Sequence, residues 1–532
     1  MKFKEFLKTF FTNIKDGVSR FIVAFICSIL CFLTVSYHII FEPPIPQQEI
    51  LFSLYATYII TAVLSVLLKI SEEYITDKLK GIYQYILCSV ASVVSFILIK
   101  TNYDSLYTIM AYSGIMIALL CFIFFVLMRG ENRNTAFPKL VASLIFTNAV
   151  CGVISGGLST CIAAFQSLIF NWDDIYKVYS VINLFVWIVG FINIYLSFIP
   201  KKDVPISQSK IFRIFVLFAG LPLYILLIAI LMVYLAKIVI TWNMPVGEIN
   251  WFASFASLFF IFFVLSVTQY KEKLATLFVK FGGYFLIPVL IMQAIAVFER
   301  INAYGLTTPR TVSLTLIVIS ILFIFGAIVT PKHFNKIALI SGIIVLFVTV
   351  TPFNVIDMPI ASQTKILETK LIENAMLKDG IITPNSNIDN KAKERIISAY
   401  NYLKYDAKKL PDFIPDDLKK TNEIFGFSSG SENNSIYCRY STKTSVDISA
   451  FSKMLDVEEN DDIIVFDNNG EQVTINLKEI AKELYTQYGD EQKELDIYMI
   501  NESIGLYLRS FNFDLVDNEI QYCYFNGYVF IK

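Results

Sequence analysis

The chain has 532 residues, of which 55% are hydrophobic and only 17% are charged. A soluble globular protein usually carries about 25% charged residues, so the composition excludes an ordinary soluble enzyme, a disordered protein and a nucleic-acid-binding protein. The charge is unevenly divided, because residues 1–352 carry a net charge of +10 and residues 353–532 one of −11. The sequence therefore predicts a basic membrane part followed by an acidic soluble part.

Apolar residues recur at helical spacing at the start of the chain, and lysines lie off that stripe. The spacing predicts an amphipathic helix over residues 1–18. This helix either lies on the anionic inner surface of the membrane or packs against the transmembrane bundle. Its apolar positions are Phe3, Phe6, Leu7, Phe10, Phe11 and Ile14.

Residues 19–352 contain eleven apolar stretches that are long enough to cross the hydrocarbon, which takes about 20 residues of helix. Together they predict an α-helical polytopic membrane bundle. Gly156-Gly157 and Pro222 interrupt the fifth and the seventh stretch, which makes these two candidates for kinks. The stretches are 20–41, 50–69, 83–100, 105–128, 140–169, 175–199, 211–239, 249–270, 281–299, 311–330 and 336–352.

The loops between these stretches differ in their content of Lys and Arg. The N-terminal segment and the loops on its side carry 20 such residues, whereas the opposite loops carry five. Because Lys and Arg accumulate on the cytoplasmic side, the N-terminus is predicted to be cytoplasmic. Eleven crossings then predict that residues 353–532 are extracytoplasmic. If the short eleventh stretch does not cross, this segment lies in the cytoplasm instead.

Residues 353–532 have the pattern of a small soluble α+β domain. The predicted helices cover 360–378, a segment that begins at Asp389 or Asn390, and 478–488. The predicted strands cover 436–440, 463–466, 472–477, the alternating residues Leu495, Ile497 and Met499, and finally 519–525 and 528–532. Asn526-Gly527 is a strong signal for a two-residue hairpin turn, so the last two strands are predicted to form a hairpin.

Cys438 and Cys523 both fall in predicted strands of this domain. They are candidates for a disulfide if the domain is extracytoplasmic, and for buried thiols if it is not. The chain has only two histidines and no Cys-x-x-Cys pair, so we predict no metal site. No nucleotide-binding or metalloprotease motif is present, and no cofactor is predicted.

A cluster of polar and aromatic residues lies on the predicted extracytoplasmic side of the membrane. Arg300 and Arg310 are unexpected on a side that is poor in basic residues. They could pair with Asp173 or Asp174 and lock the external loops together, which is the interpretation that we favour. They could instead hold an anionic ligand such as a lipid head group. The candidate ligand-binding residues are Asp173, Asp174, Trp242, Arg300, Tyr304 and Arg310.

The same loops carry a family resemblance. Thr241-Trp242 with Pro245 and Gly247, then Arg300 with Tyr304-Gly305-Leu306-Thr307 and Arg310, resemble the signature of the bacterial membrane family known as domain of unknown function 4153. The segment from Gln363 to Gly380 and the helix with Tyr402-Leu403 are similar to the segment that follows the membrane part in that family. The resemblance implies a multi-pass protein of the bacterial inner membrane and supplies no reaction.

Three functions are compatible with these features. The first is a non-enzymatic envelope protein that binds, senses or scaffolds, with the lipid bilayer and an anionic lipid or envelope component as partners. The second is a transporter or lipid translocator, which is supported by the eleven spans and by the interruptions at Gly156-Gly157 and Pro222. The third is a membrane-embedded transferase acting on a lipid-linked substrate, with Asp173, Asp174, Arg300 and Arg310 as its candidate groups.

Overall fold

The computed structural model divides the chain into two compact units. The first contains the residues up to Thr369 together with Ser398–Pro411, and the second contains Lys370–Ile397 and Asp412–Lys532. The structure describes residues 3–532 except 77–80, 103–104, 130–132, 169–173, 203, 205, 207–208, 242–247, 330, 415–420, 428–435, 444–445, 447, 460–462, 469–470, 489–492 and 517–518.

The first unit is helical. Its helices are α1 (Phe3–Arg20), α2 (Ile22–Phe41), α3 (Ile45–Tyr74), α4 (Ile82–Thr101), α5 (Leu106–Leu127), α6 (Ala136–Leu168), α7 (Ile175–Leu184), α8 (Phe191–Ser197), α9 (Lys210–Ile214), α10 (Leu221–Thr241), α11 (Glu248–Val267), α12 (Lys273–Tyr304), α13 (Thr308–Val329), α14 (Phe334–Val350) and most of α15 (Asp357–Glu373). The last turn of α16 (Asn390–Asn401) also belongs to this unit.

Within the described residues, eleven helical segments are long and apolar enough to cross a membrane, and they coincide with the eleven predicted spans. The predicted helical membrane bundle is thereby confirmed. A π-helical segment, Phe185–Gly190, joins α7 and α8 into the sixth span, and a second, Phe215–Gly220, joins α9 and α10 into the seventh. Pro222 follows the second π segment closely, whereas α6 continues through Gly156-Gly157 without a break.

Hydrogen bonds at the helix ends show that the spans alternate in direction. Arg20, just before α2, bonds to Glu73 at the end of α3 and to the carbonyl oxygen of Pro200 after α8. We call this the first end of the bundle. Near the start of α5, the Tyr107 hydroxyl donates to Asp357 Oδ1 at 2.7 Å. Asp357 follows the eleventh span and therefore lies at the opposite, second end.

Helix α1 packs against the bundle. Phe10 and Ile14 contact a small buried cluster that contains Cys151 and Ile194. Gly17 lies against Ser197, where an added Cβ would come within 2.8 Å of the Ser197 Cα. These contacts support the packing interpretation of the amphipathic stripe, and the placement of this helix on a membrane surface stays a prediction.

The second unit is built on a mixed sheet. The strands are β1 (Leu377–Lys378), β2 (Ile381–Ile382), β3 (Ile436–Thr442), β4 (Lys453–Glu459), β5 (Ile463–Asn468), β6 (Glu471–Asn476), β7 (Lys493–Leu495), β8 (Tyr498–Met499), β9 (Ile504–Val516) and β10 (Glu519–Ile531), with helices α17 (Thr421–Phe425) and α18 (Leu477–Tyr488). The main sheet has the order β4-β10-β9-β3-β7, and β8 also pairs with β9. Among the described strand pairs, only β3 and β7 are parallel. The small α+β region after the bundle is therefore confirmed.

The predicted hairpin at Asn526-Gly527 is wrong. Both residues lie inside β10, which continues from Glu519 to Ile531 and pairs with β9 along its length. The register shifts between Asn526 and Gly527, which marks a β-bulge. A Cβ at Gly527 would lie 2.0 Å from the carbonyl oxygen of Tyr507. The glycine therefore permits a close approach of two strands rather than a turn.

The strand register also contradicts the predicted disulfide. Cys438 in β3 and Cys523 in β10 are both opposite Phe513 of the intervening strand β9. Adjacent strands lie about 4.7–4.9 Å apart, so two strand spacings separate the backbones of these cysteines. A disulfide needs Cα atoms closer than about 7 Å. The pairing is therefore incompatible with the order of the sheet.

Candidate functional site

The three-residue connection between α12 and α13 at the second end is the most highly constrained turn of the candidate region. Gly305 has φ +78° and ψ 180°, a conformation that is essentially restricted to glycine. A Cβ there would lie 2.3 Å from Ile366 Cδ1 and 2.9 Å from Gln363 Nε2. The turn thus needs glycine both for its backbone angles and for the close approach of α15.

Helix α15 holds this turn through two side chains. The amide nitrogen of Gln363 donates to the carbonyl oxygens of Tyr304 and Leu306, both at 2.8 Å. Ser362 Oγ accepts from the Leu306 backbone N–H at 3.1 Å. Gln363 is 1% exposed. The segment after the eleventh span is therefore joined to the turn by buried polar contacts.

Tyr402, the residue directly after α16, adds a further connection. The Tyr402 hydroxyl accepts from the backbone N–H of Thr308 at 3.2 Å and lies 2.9 Å from Thr308 Oγ1. Thr308 Oγ1 also donates to the carbonyl oxygen of Val355 at 2.8 Å. These bonds fix the first residue of α13, and Arg310 follows two residues later.

The structure brings Arg300, Tyr304 and Arg310 together around the turn. Arg310 is half-buried and donates a hydrogen bond to the carbonyl oxygen of Gly305. Its guanidinium lies within electrostatic range of Arg300, Tyr304 and Tyr402. In the part of the chain that the structure describes, neither arginine forms an ion pair with an acidic side chain. Two neighbouring positive charges thus share a partly desolvated position.

A buried polar cluster continues from these arginines into the bundle. Gln293 lies seven residues before Arg300 on α12, which is about two helical turns, and it is fully buried. Its amide nitrogen donates to Asn250 Oδ1 and Ser254 Oγ, both at 2.9 Å. Asn250 in turn donates to Ser313 Oγ at 3.0 Å, one turn after Arg310. Hydrogen bonds therefore connect helices α11, α12 and α13 on the side of the two arginines that faces the middle of the bundle.

Two amide oxygens of this region have no hydrogen-bond partner among the described residues. They are Oε1 of Gln293 and Oε1 of Gln363, and both are buried. A buried acceptor without a donor is unfavourable by roughly 1–3 kcal/mol. The region therefore contains two guanidinium groups without a described carboxylate partner and two buried amide oxygens without a described hydrogen-bond donor.

The other three candidate ligand-binding residues are Asp173, Asp174 and Trp242. Asp173 and Trp242 lie outside the described residues. Asp174 is exposed at the start of α7, and its Oδ2 lies 3.9 Å from Lys177 Nζ. Lys177 also lies 3.0 Å from Glu42 Oε1. The hydrogen bond from Lys177, with another from Tyr176, lowers the pKa of Glu42. The ion pair between Lys177 and Glu42 therefore joins the start of α7 to the end of α2.

Sequence reasoning missed the residues that organise the site. Gln363 and Tyr402 lie in the segments that resemble the family, but the resemblance gives them no role. Gln293 is one polar residue in a long apolar span, and its position alone does not predict a contact. Sequence reasoning also missed the pairing of Arg20 with Glu73, whose side chains are 8% and 22% exposed. An arginine at the start of one predicted span and a glutamate just after the end of the next lie on the same predicted side of the membrane. That pattern is the signal from which the pair could have been inferred.

Comparison with known proteins supplies a family. The family described as domain of unknown function DUF4153 matches residues 25–378, which is more than half of the chain. A search of curated proteins gives no match, and neither does a search of solved structures. The matched range contains both arginines, the glycine turn and α15. The chain therefore belongs to the DUF4153 family of multi-pass membrane proteins.

Proposed function

We propose that this protein is a non-enzymatic component of the bacterial inner membrane that binds an anionic lipid head group at the turn between α12 and α13. In this proposal the N-terminus is cytoplasmic, and the C-terminal α+β domain is extracytoplasmic and binds or senses a component of the envelope. The observation that carries the proposal is the pair Arg300 and Arg310, which have no carboxylate partner among the described residues.

Charge balance supports an anionic ligand. Two guanidinium groups repel one another when they share a partly buried position, and a nearby negative charge stabilises both. Arginine binds phosphate through two parallel N–H donors. A phosphate oxygen can therefore take the place of a carboxylate, which the described part of the site lacks, and a lipid head group supplies that phosphate at the membrane surface.

The net charge of the head group favours one lipid over another. Phosphatidylglycerol carries a phosphate and has a net negative charge. The trimethylammonium group of phosphatidylcholine neutralises the charge of its phosphate and would be repelled by the two guanidinium groups. Phosphatidylglycerol is therefore the expected ligand.

The alternative functions have less support. The cavity between α2, α3, α5, α6 and α8 is lined almost wholly by apolar groups, which does not suit a polar solute in transit. The described partner of Asp174 is Lys177 rather than an arginine. We therefore prefer binding to transport or group transfer.

Lipid-dependent thermal stability tests the binding site. We expect phosphatidylglycerol to raise the unfolding temperature of the detergent-purified protein in a saturable, salt-sensitive manner, and phosphatidylcholine to raise it less. R300A and R310A should abolish this difference. K237A is a matched control, because it also removes a positive charge at the second end of the bundle, near the end of α10, but outside the turn. Equal stabilisation of the wild type by both lipids would refute the proposal, and so would a full response in the double variant.

Cysteine labelling tests the orientation. Ser503 in the C-terminal domain and Thr9 in α1 are both exposed. Single cysteines at these positions, in a chain without other reactive thiols, should react with a membrane-impermeant maleimide from opposite sides. We expect Ser503→Cys to react in intact spheroplasts and Thr9→Cys to react only after lysis. The reverse pattern would place the C-terminal domain in the cytoplasm.

A further inference from the structure

A second lipid-binding position is indicated by a cavity at the other end of the bundle. The cavity has a volume of about 220 Å³ and lies between α2, α3, α5, α6 and α8. Its walls are formed by apolar and small side chains, including Ala24, Cys27, Cys31 and Ala62. An engineered apolar cavity of about 150 Å³ already binds benzene. The present cavity is therefore large enough to hold a segment of hydrocarbon chain.

The cavity occupies one half of the membrane thickness. Ala24 is the third residue of α2, while Leu127 is the last residue of α5, so the cavity begins at the first end of the bundle. Cys31 lies nine residues after Ile22, which is about 14 Å along the helix. The hydrocarbon core is about 30 Å thick. The cavity therefore extends from the first end to about the middle of the membrane.

The cavity also reaches the surface that lipid would contact. Ile59 of α3 and Leu120 of α5 line it, and they are 39% and 46% exposed. Phe191 and Tyr195, whose stacked rings lie 6.2 Å apart, also line the cavity. A chain can thus enter sideways from the surrounding hydrocarbon without crossing a polar layer.

We propose that this cavity holds one acyl chain of a phospholipid from the leaflet at the first end. An apolar void forfeits dispersion contacts on every wall, and hydrocarbon is the solvent at this depth. The cavity lining is apolar, and Arg20, a cation at this end, is already bonded to Glu73 and to the Ile199 carbonyl oxygen. The site therefore recognises the chain and not the charge of the head group, which separates it from the arginine pair at the second end.

Native mass spectrometry of the full chain, with a photoreactive phospholipid, tests this proposal. The wild type should retain one phospholipid, whether phosphatidylethanolamine or phosphatidylglycerol is supplied. A phospholipid with a diazirine in its acyl chain should label the peptides containing Ile59 and Phe191 at one lipid per protein, and unlabelled phospholipid should compete.

A62F should reduce retention about tenfold, because losing the burial of only two methylene groups already weakens binding by that factor. A163F, on an exposed face of α6, is the matched control and should retain the lipid. Labelling that never saturates would show ordinary surface lipid and would overturn the proposal. So would a cavity occupied only by detergent or by an isoprenoid, or a folded A62F protein that keeps its lipid. If A62F does not fold, the saturable labelling of the wild type decides.

Discussion

The Tyr107 hydroxyl donates a hydrogen bond to Asp357 Oδ1 at 2.7 Å, although 250 residues separate the two in the chain. Tyr107 lies at the start of the fourth span, and Asp357 follows the eleventh. Asp357 also accepts from the Asn354 side chain at 2.7 Å, which fixes the start of α15. This contact places the beginning of α15 at the second end, beside the turn that α15 holds.

Replacing Gly305 with alanine should destabilise the membrane unit strongly. A positive φ is unfavourable for an L residue by roughly 1–2 kcal/mol, and the clash with Ile366 and Gln363 adds about 1–3 kcal/mol. Thermal unfolding in detergent measures the effect. G81A is the matched control, because Gly81 has φ +66° but open space at its Cβ position. Equal losses in both variants would show that contact with α15 is unimportant.

Removing the Gln363 amide should weaken the turn more than removing its neighbouring hydroxyl. Q363L deprives two carbonyl oxygens of their donor, whereas S362A deprives one N–H of its acceptor. Each unpaired buried group is unfavourable by about 1–3 kcal/mol. Limited proteolysis of the segment after the eleventh span should therefore be faster in Q363L than in S362A. The opposite order would contradict the assigned roles.

The ion pair between Arg20 and Glu73 should be important for stability. Arg20 Nε and Nη2 lie 2.9 and 2.6 Å from the two carboxylate oxygens, and Nη1 donates to the Ile199 carbonyl oxygen at 2.7 Å. R20A leaves a mostly buried carboxylate unpaired, which is unfavourable by about 3–5 kcal/mol. We expect a large fall in the unfolding temperature and in membrane abundance.

An exposed ion pair provides the comparison for R20A. Lys443 and Asp496 lie 3.0 Å apart with side chains that are 53% and 82% exposed. K443A should cost less than about 1 kcal/mol, as is usual for surface pairs. Similar effects of R20A and K443A on stability would show that the Arg20 pair is solvated rather than structural.

The Tyr498 hydroxyl should ionise only at strongly alkaline pH. Burial raises its pKa, and the hydrogen bond that it donates to Glu483 raises the pKa further. The neutral phenol is thus favoured in the folded state. Its contribution to stability is complete below the ordinary tyrosine pKa of about 10 and is lost as the pH rises through the higher folded-state pKa.

Substituting Glu483 tests the cause of this shift. E483Q should lower the pKa of Tyr498 and leave it above the ordinary value, because burial is the larger cause. The phenolate absorbance of each protein, minus that of its Y498F counterpart, reports this one group among 29 tyrosines. An unchanged titration in E483Q would exclude the carboxylate as a contributor.

Local patterns were sufficient for the helices and for part of the sheet. Ile396, Tyr400 and Leu403 recur at helical spacing after Asn390, as one apolar face of a helix requires, and all three are buried. Strand β9 was not predicted, because the alternation of Leu506 and Leu508 shifts phase before Phe511 and Phe513. The shift is the bulge at Gly527, where β10 pairs Gly527 with Leu508 and Asn526 with Ser510. The partner strand, about 20 residues away in the chain, therefore decides the pattern.

The sequence by itself determined that the chain has eleven apolar segments long enough to cross a membrane, followed by a small α+β region. This information is local, since a segment in hydrocarbon must satisfy its own backbone hydrogen bonds and be apolar along its whole length. Only the tertiary structure decided that Gln363 meets Leu306, that Arg300 and Arg310 share one turn, and that Cys438 and Cys523 are separated by a strand. Such contacts depend on which helices and strands pack together. Each of these residue types can pair with many others, so the local sequence does not identify the partner.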